Sequence, residues 1–282
     1  MFRVAIEAFV ALLLFGAIPV IVRAIHANPY TIGIVRLAIA ATGFTLFVIA
    51  RGQLRRIQLR DAARLAAIGT IFAAHWLTLF FAVKISSASI GAIGLSTYGI
   101  HLLLLGAIVA RERPHLTDIG AVLLAAGGAV LVVPSIAFSN DVARGMFLAT
   151  ASAFLYATLP LLHQRWSHIP TPMRTLGQFG FALALFLFFL PRANWNLTSR
   201  DWGGLLFLGI AVTLVGHSLW VRVTTHLPPS ITSIVYYGNI PVAIALSIIL
   251  LDEPLTFRTL TGAALIVIGS ILGLAAKAWR AS

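Results

Sequence analysis

The chain repeats itself at a spacing of 141 residues, half of its length of 282 residues. The matching positions include prolines, glutamates and a pair of glycines seven residues apart. They are Pro19 and Pro160, Pro29 and Pro170, Glu112 and Glu253, and Gly120 with Gly127 against Gly262 with Gly269, the glycines at a spacing of 142. An internal repeat of this length decides the architecture of a chain. It predicts two repeats, residues 1–140 and 141–282, within one domain.

The composition fits a chain surrounded by lipid. Hydrophobic residues make up 60% of the sequence, charged residues only 10%, and the mean hydropathy is +0.98. A soluble domain carries about a quarter of its residues as charged side chains. The net charge of +12 comes mainly from Arg residues in short gaps between apolar runs, which indicates topology signals and contacts with anionic lipids, not a nucleic-acid surface. Because Cys is absent, disulfides, thiolate metal sites and cysteine nucleophiles are excluded.

Apolar stretches of membrane-spanning length follow one another along the whole sequence. A transmembrane helix needs about 20 mostly apolar residues. Ten windows qualify: 3–23, 31–50, 62–84, 88–110, 117–136, 144–163, 173–191, 202–222, 229–251 and 258–277. The first window has no small-residue cleavage site and has a counterpart at 144–163, so we expect a retained helix and no signal peptide. The prediction is an all-α integral membrane protein of ten transmembrane helices arranged as two inverted five-helix repeats.

The basic residues predict the orientation. Thirteen of the 20 Lys and Arg residues fall on the side of the N-terminus, with a cluster from Arg51 to Arg64, and seven, Arg36 counted among them, fall on the other side. Cytoplasmic loops carry the excess of basic residues. Both termini are therefore expected in the cytoplasm. Since five spans are an odd number, the two repeats would run in opposite directions through the membrane.

Aromatic and polar side chains gather at one depth of the predicted spans, and they are the candidate substrate-binding residues. The candidates are His75, Trp76, Leu79, Tyr98, Tyr156, His217, Trp220 and Tyr237. Buried Tyr and Trp rings need a partner for their hydroxyl or N–H group. A cavity with aromatic walls explains the cluster, and so does helix packing with local hydrogen bonds. Glu7 is the single acid inside a span; it either takes part in transport or forms an ion pair with Arg3.

Helix-breaking residues recur at related positions. Pro19, Pro160 and Pro241 interrupt spans 1, 6 and 9 of the prediction, and Gly99 weakens span 4. Broken helices at matching positions of two repeats are the best sequence indication of a transporter's binding site. These four residues are therefore the candidate hinges. The glycines of spans 5 and 10 instead predict close helix packing.

Each half ends with an acid, a Leu-Thr step and a helix of the pattern Gly-Ala followed by Gly. The residues are Glu112, Leu116-Thr117 and Gly120-Ala121 with Gly127, then Glu253, Leu255-Thr256 and Gly262-Ala263 with Gly269. With ten predicted spans, the chain resembles the EamA family of the drug/metabolite transporter (DMT) superfamily over nearly its whole length. The first repeat departs from the usual pattern because it lacks the mid-helix proline that span 9 keeps as Pro241. The aromatic interior is most similar to that of YddG-type exporters of aromatic amino acids.

The resemblance implies a central cavity lined by spans 1, 3, 4, 6, 8 and 9, with spans 5 and 10 at the periphery. It implies a secondary transporter in a bacterial inner membrane that exports small metabolites, aromatic or other hydrophobic amino acids, by alternating access. No cofactor or metal is implied, the partners are the small-molecule substrate and membrane lipids, and the oligomeric state stays open, with a monomer compatible. Export of drugs or lipid-like molecules is the alternative.

Two other classes lack their signatures in the sequence. An intramembrane enzyme would need a reactive set such as Gly-x-Ser-x-Gly with a His, or His-Glu-x-x-His, and neither occurs. A channel would need a ring of pore-lining charges or a filter loop. The sequence therefore favours a transporter without enzymatic activity.

Overall fold

A computed structural model of the chain describes residues 2–86, 88–132, 140–251 and 256–281, and the regular secondary structure of these residues is helical. The helices are α1 (Phe2–Ala24), α2 (Pro29–Ala50), α3 (Leu59–Ile85), α4 (Ala88–Ser96), α5 (Tyr98–Val109), α6 (Leu116–Val132), α7 (Asn140–Arg165), α8 (Thr171–Leu187), α9 (Ser199–Phe207), α10 (Ser218–His226), α11 (Pro229–Tyr236), α12 (Asn239–Leu251) and α13 (Phe257–Ala281). Among the described residues, seven helical segments are long and apolar enough to cross a membrane, and shorter apolar helices accompany them. The all-α membrane fold is thus confirmed.

Helix starts follow from local sequence. The side chain of Asn28 accepts a hydrogen bond from the backbone N–H of Thr31, and Pro29 occupies the first turn of α2. Thr198 and Asp201 form a reciprocal capping box at the start of α9. Both starts lie at the end of the bundle where α1 and α3 finish. The backbone N–H of Asn28 donates to Asn194 Oδ1 at 2.7 Å, which joins the start of α2 to the segment that precedes α9.

Three of the predicted spans are irregular in the structure. Thr97 separates α4 from α5, and Tyr237 with Gly238 separates α11 from α12. Between α9 and α10 the chain is π-helical over Leu208–His217. Stretches of π-helix occur frequently at functional sites. The three irregular segments, Thr97, Leu208–His217 and Tyr237–Gly238, each lie in the middle part of a predicted span.

The expected interruption of spans 1 and 6 is wrong. Helix α1 continues through Pro19, and α7 continues through Pro160. In both helices the proline lies within two turns of the C-terminal end, so most of the helix precedes it and keeps its hydrogen bonds. Pro241 lies in the first turn of α12, just after the break, where a missing N–H leaves no intrahelical bond unmade.

Small residues bring α6 and α13 into close contact. A Cβ atom added to Gly128 would lie 2.6 Å from the carbonyl oxygen of Gly262, and one added to Gly269 would lie 2.9 Å from the carbonyl oxygen of Ala121. The predicted packing of the two glycine-rich helices is confirmed by this approach of backbones. Near the start of α6, Glu112 accepts hydrogen bonds from the backbone N–H of Ser230, at 3.1 Å, and from its hydroxyl group. Glu253 and Leu255, the counterparts in the second half, lie outside the described residues.

Candidate substrate cavity

A cavity lies between helices of both halves of the chain. Its walls include Phe15, Pro19, Arg36, His75, Trp76, Leu79, Phe80, Leu95 and Ser96 from the first half, and Tyr156, His217, Tyr236, Asn239 and Ile240 from the second. The empty volume among the lining side chains, with any part open to solvent, is about 800 Å³. Ligand pockets usually measure a few hundred to about 1,000 Å³ and have mostly apolar walls with a few polar groups. The cavity fits that description.

The cavity lies toward one end of the bundle. Val22 and Val83 line it within three residues of the C-terminal ends of α1 and α3, and Gly91 and Ala92 line it near the start of α4. These helix ends are the ones opposite the N-terminus of the chain. The cavity therefore occupies the half of the bundle that is remote from the N-terminus.

A layer of aromatic rings closes the other side of the cavity. Tyr98 and Tyr236 lie with ring centroids 4.1 Å apart, Tyr98 and Tyr156 are 5.1 Å apart, and Trp220 lies 5.8 Å from Tyr236. Beyond this layer is a smaller void with an empty volume of about 230 Å³, lined by Pro160 and Trp220 among others. Tyr156 and His217 line both spaces. We call Tyr98, Tyr156, His217, Trp220 and Tyr236 the aromatic layer.

His75 is held in place by Ser152. The Ser152 hydroxyl donates to the backbone carbonyl of His75 at 2.9 Å, and Nδ1 of His75 lies 2.7 Å from the same hydroxyl oxygen. Because the single hydroxyl hydrogen is used, Nδ1 must carry a hydrogen and donate it. The imidazole ring stacks on Tyr156 with centroids 4.3 Å apart. The hydrogen bond at Nδ1 and the stacking on Tyr156 together fix the orientation of the ring.

His217 lies one residue after Gly216, the counterpart of His75 in the second half. Its ring lies 4.6 Å from Phe15 and 5.6 Å from Trp76, centroid to centroid. Neither Nε2 of His217 nor the hydroxyl of Tyr156 has a hydrogen-bond partner in the part of the chain that the structure describes, although both atoms are buried. Buried polar atoms are normally paired. These two atoms can donate to or accept from a bound molecule.

Arg36 is a charged residue of the cavity that the sequence reasoning missed. Counting it with the basic residues outside the membrane was wrong, because it is the eighth residue of α2 and its side chain is fully buried. Its guanidinium carbon lies 4.1 Å from the centroid of the Trp76 ring and 5.4 Å from that of Phe80. Its position inside the predicted window 31–50 was the signal, since an ionisable residue within a span is a functional candidate by default.

The eight predicted binding residues do not all face one space. His75, Trp76, Leu79, Tyr156 and His217 line the main cavity. Trp220 lines the smaller void, and Tyr98 is packed in the aromatic layer. Tyr237 is buried at the break between α11 and α12, where its hydroxyl donates to the carbonyl of Ser96 at 2.8 Å. Tyr236 and Asn239 line the main cavity and were not among the predicted residues.

The candidate hinges lie close to the same spaces. Pro19 lines the main cavity, and Pro160 lines the smaller void. A Cβ atom at Gly99 would lie 2.5 Å from the Tyr237 ring, so the absence of a side chain there is needed for the contact between the two broken helices. Glu7, by contrast, forms the ion pair with Arg3 that the sequence suggested, at 3.0 Å, and a second with Arg222 at 3.3 Å.

Comparisons with known proteins agree with this architecture. Residues 3–133 and 143–274 each match the EamA-like transporter family. An uncharacterized transporter of Archaeoglobus fulgidus is 30% identical over 265 residues, covering 91% of this chain and 92% of the relative. The uncharacterized transporter YxxF of Bacillus subtilis is 22% identical over 284 residues, covering 98% of this chain and 91% of the relative. A solved crystal structure with 17% identity covers 100% of both chains with a TM-score of 0.84, which shows the shared fold.

Proposed function

Because the chain belongs to the EamA-like transporter family, we propose that it is a secondary transporter that exports small metabolites through the cavity between its halves. Its substrates in this proposal are aromatic or other hydrophobic amino acids and molecules of similar shape. The observation that carries the proposal is a cavity whose walls are largely aromatic and come from both halves of the chain. The aromatic layer lies between this cavity and the smaller void. The membership confirms the predicted family, and the names of both relatives are those of transporters, not enzymes.

We further propose that residues 1–140 and 141–282 are two inverted repeats of five membrane-spanning helices each. Contacts between equivalent positions support this arrangement. Phe15 and Tyr156 are equivalent at the spacing of 141, and so are His75 and Gly216. The His75 ring packs on Tyr156 with centroids 4.3 Å apart, and a Cβ atom at Gly216 would lie 3.3 Å from the Phe15 ring. In a pair of symmetric units, such contacts occur twice. Substrate sites of inverted-repeat transporters lie between the repeats near the bilayer midplane.

We propose that both termini lie in the cytoplasm of a bacterial cell and that the chain lies in its inner membrane, which the excess of basic residues on the N-terminal side supports. In that orientation the main cavity lies in the outer half of the membrane, and the aromatic layer separates it from the cytoplasmic side. The structure then corresponds to an outward-facing or outer-occluded state. Alternating access would open the smaller void, lined by Pro160 and Trp220, toward the cytoplasm.

The breaks in the helices are the positions at which the chain would bend during this movement. Irregular backbone at Thr97 and at Tyr237–Gly238 lacks continuous helical hydrogen bonding, so φ and ψ changes there disturb few bonds. Pro19 and Pro160 leave one carbonyl each without its usual amide donor, which permits bending. We assign the hinges to Gly99 and Pro241, next to these breaks, and to Pro19 and Pro160 within α1 and α7.

The proposal is tested by counterflow in liposomes that contain the purified protein. Vesicles loaded with unlabelled Phe, Trp or Leu should accumulate the labelled solute faster than protein-free vesicles do. Parallel assays with a labelled phospholipid and with a hydrophobic cationic drug distinguish the alternative substrate classes. Counterflow of the lipid or the drug without counterflow of any amino acid would contradict the proposed substrates.

A further inference from the structure

We propose that Arg36 is a carboxylate-binding residue and that the substrates of this cavity are organic molecules with one carboxylate and an apolar body. The inference rests on the proposed function of the same cavity and specifies its substrate class. It is carried by the surroundings of the guanidinium group. The group is buried, fixed in orientation, and leaves both terminal nitrogens without a partner in the described protein.

A second buried arginine shows what a structural role requires. Arg174 is buried as well, but it donates to four acceptors of the protein: the carbonyl oxygens of Ile169 and His163 and the hydroxyl oxygens of Thr171 and Thr225. Every nitrogen of that guanidinium group therefore has a partner. Among the described residues Arg36 has one hydrogen-bond partner, since only its Nε donates, to Thr213 Oγ1 at 3.0 Å.

The single partner fixes the direction of the Arg36 side chain. The Thr213 hydroxyl donates to the carbonyl of Leu208 at 2.7 Å, so its oxygen is left to accept from Arg36. The guanidinium carbon also lies over the Trp76 ring, 4.1 Å from its centroid. This contact with the ring uses none of the N–H groups of Nη1 and Nη2 in a hydrogen bond to a described residue. Nη1 and Nη2 then present the planar fork that binds a carboxylate through two parallel hydrogen bonds.

The charge of the cavity favours a single negative charge. Arg36 contributes a cation, and the described side chains that line the cavity include no Asp or Glu. The titratable groups that face it are His75, His217, Tyr156 and Tyr236. Burying a cation without a counterion costs free energy of folding, and a bound carboxylate supplies the missing counterion. A doubly charged phosphate ester would remain under-neutralised by one arginine.

The rest of the cavity fits an apolar body and not a second cation. Phe15, Leu79, Leu95 and Phe80 present apolar surface around the fork. An ammonium group would find no carboxylate among the described lining residues and would be repelled by Arg36. The carboxylate is therefore the required group of the substrate, and an amino acid should bind less tightly than the matching carboxylate that lacks the ammonium group.

The test uses binding to the full-length purified protein in detergent, with four solutes of one shape. These are 3-phenylpropanoate (anion), 3-phenylpropanamide (neutral), 3-phenylpropylamine (cation) and phenylalanine (zwitterion), measured by calorimetry. Wild-type protein should bind the anion roughly tenfold or more tightly than the amide, as a charge-assisted bidentate contact requires. Arg36→Gln should bind the anion and the amide equally, and Arg36→Lys should keep part of the preference. Thr213→Val should reduce it, because the fork is no longer held in place.

Arg23→Gln is the matched control, because it removes one positive charge from an exposed position at the end of α1. It should leave the preference for the anion unchanged. The inference is overturned if wild-type protein binds the amide as tightly as the anion, if it binds none of the four solutes, or if folded Arg36→Gln or Arg36→Lys protein keeps the full preference. These outcomes are separate from liposome counterflow, which tests whether the cavity transports at all.

Discussion

The hydroxyl of Tyr237 donates a hydrogen bond of 2.8 Å to the backbone carbonyl of Ser96, and the two residues are 141 positions apart, the spacing of the internal repeat. Each is thus the counterpart of the other in the opposite half. Both lie at a helix break, Ser96 at the end of α4 and Tyr237 between α11 and α12. Carbonyls at a helix end lack an intrahelical partner, and the tyrosine hydroxyl supplies one here.

Tyr237→Phe should lower the stability of the protein without changing the affinity of the cavity for its ligand. The substitution removes one buried hydrogen bond, which is worth about 1 kcal/mol of unfolding free energy. Tyr237 does not belong to the residues lining the main cavity. Thermal melting and calorimetric binding measure the two effects. Ser96→Ala keeps the backbone carbonyl that Tyr237 binds but removes the bond from the Ser96 hydroxyl to the carbonyl of Ile93 at 2.6 Å. Tyr237→Phe should therefore lower melting by the same amount in the Ser96→Ala background as in the wild-type protein. A loss of affinity in Tyr237→Phe at unchanged melting would contradict this interpretation.

Arg36→Met and Arg174→Met should change stability in opposite directions. Loss of Arg36 removes a buried cation whose desolvation costs several kcal/mol, while its stacking on Trp76 returns only about 2 kcal/mol. The Arg36 variant should therefore melt at a higher temperature than wild-type protein in the absence of solute. Loss of Arg174 leaves buried carbonyls without donors at a cost of about 2 kcal/mol or more. Equal destabilisation of both variants would show that Arg36 is structural.

Tyr156→Ala should convert the transporter into a leak. The tyrosine ring lines both the main cavity and the smaller void, so its removal joins the two spaces. Passive efflux of the solute from loaded liposomes should rise while exchange between two pools of solute falls. Loss of a buried aromatic ring also costs about 3 kcal/mol or more of stability, so rates are compared per folded molecule. Phe147→Ala, on the exposed surface of α7, is the control and should leave efflux unchanged.

Single cysteines placed in this cysteine-free chain report the orientation. A cysteine at His26 should react with a membrane-impermeant thiol reagent in intact cells whose outer membrane has been permeabilised. A cysteine at Arg56, in the basic segment between α2 and α3, should react only after the inner membrane is opened as well. The reverse pattern would invert the proposed topology and would place the main cavity on the cytoplasmic side.

Much of the fold follows from hydrophobic runs and the repeat, because lipid requires long apolar helices whatever their packing. The second span, predicted at 31–50 and observed as α2, and the close packing of the glycine-rich spans 5 and 10 were expected on this basis. The continuity of α1 through Pro19 was not expected, because a proline removes one hydrogen bond and can bend a helix without ending it. Arg36 was misplaced because the counting of charges assigned each Arg to the nearest gap. The orientation of its side chain depends on a hydrogen bond to Thr213, which is 177 residues away in sequence, and no local sequence pattern reveals that contact.

The central claim, that solutes cross the membrane through the cavity between the halves, is tested by filling that cavity. Ala92 lines the main cavity, whereas Ala264 lies on the exposed surface of α13. Counterflow of labelled phenylalanine should be abolished by Ala92→Trp and should continue at the wild-type rate with Ala264→Trp, both variants being reconstituted at equal amounts of folded protein. Wild-type counterflow in the Ala92→Trp variant would contradict a pathway through this cavity.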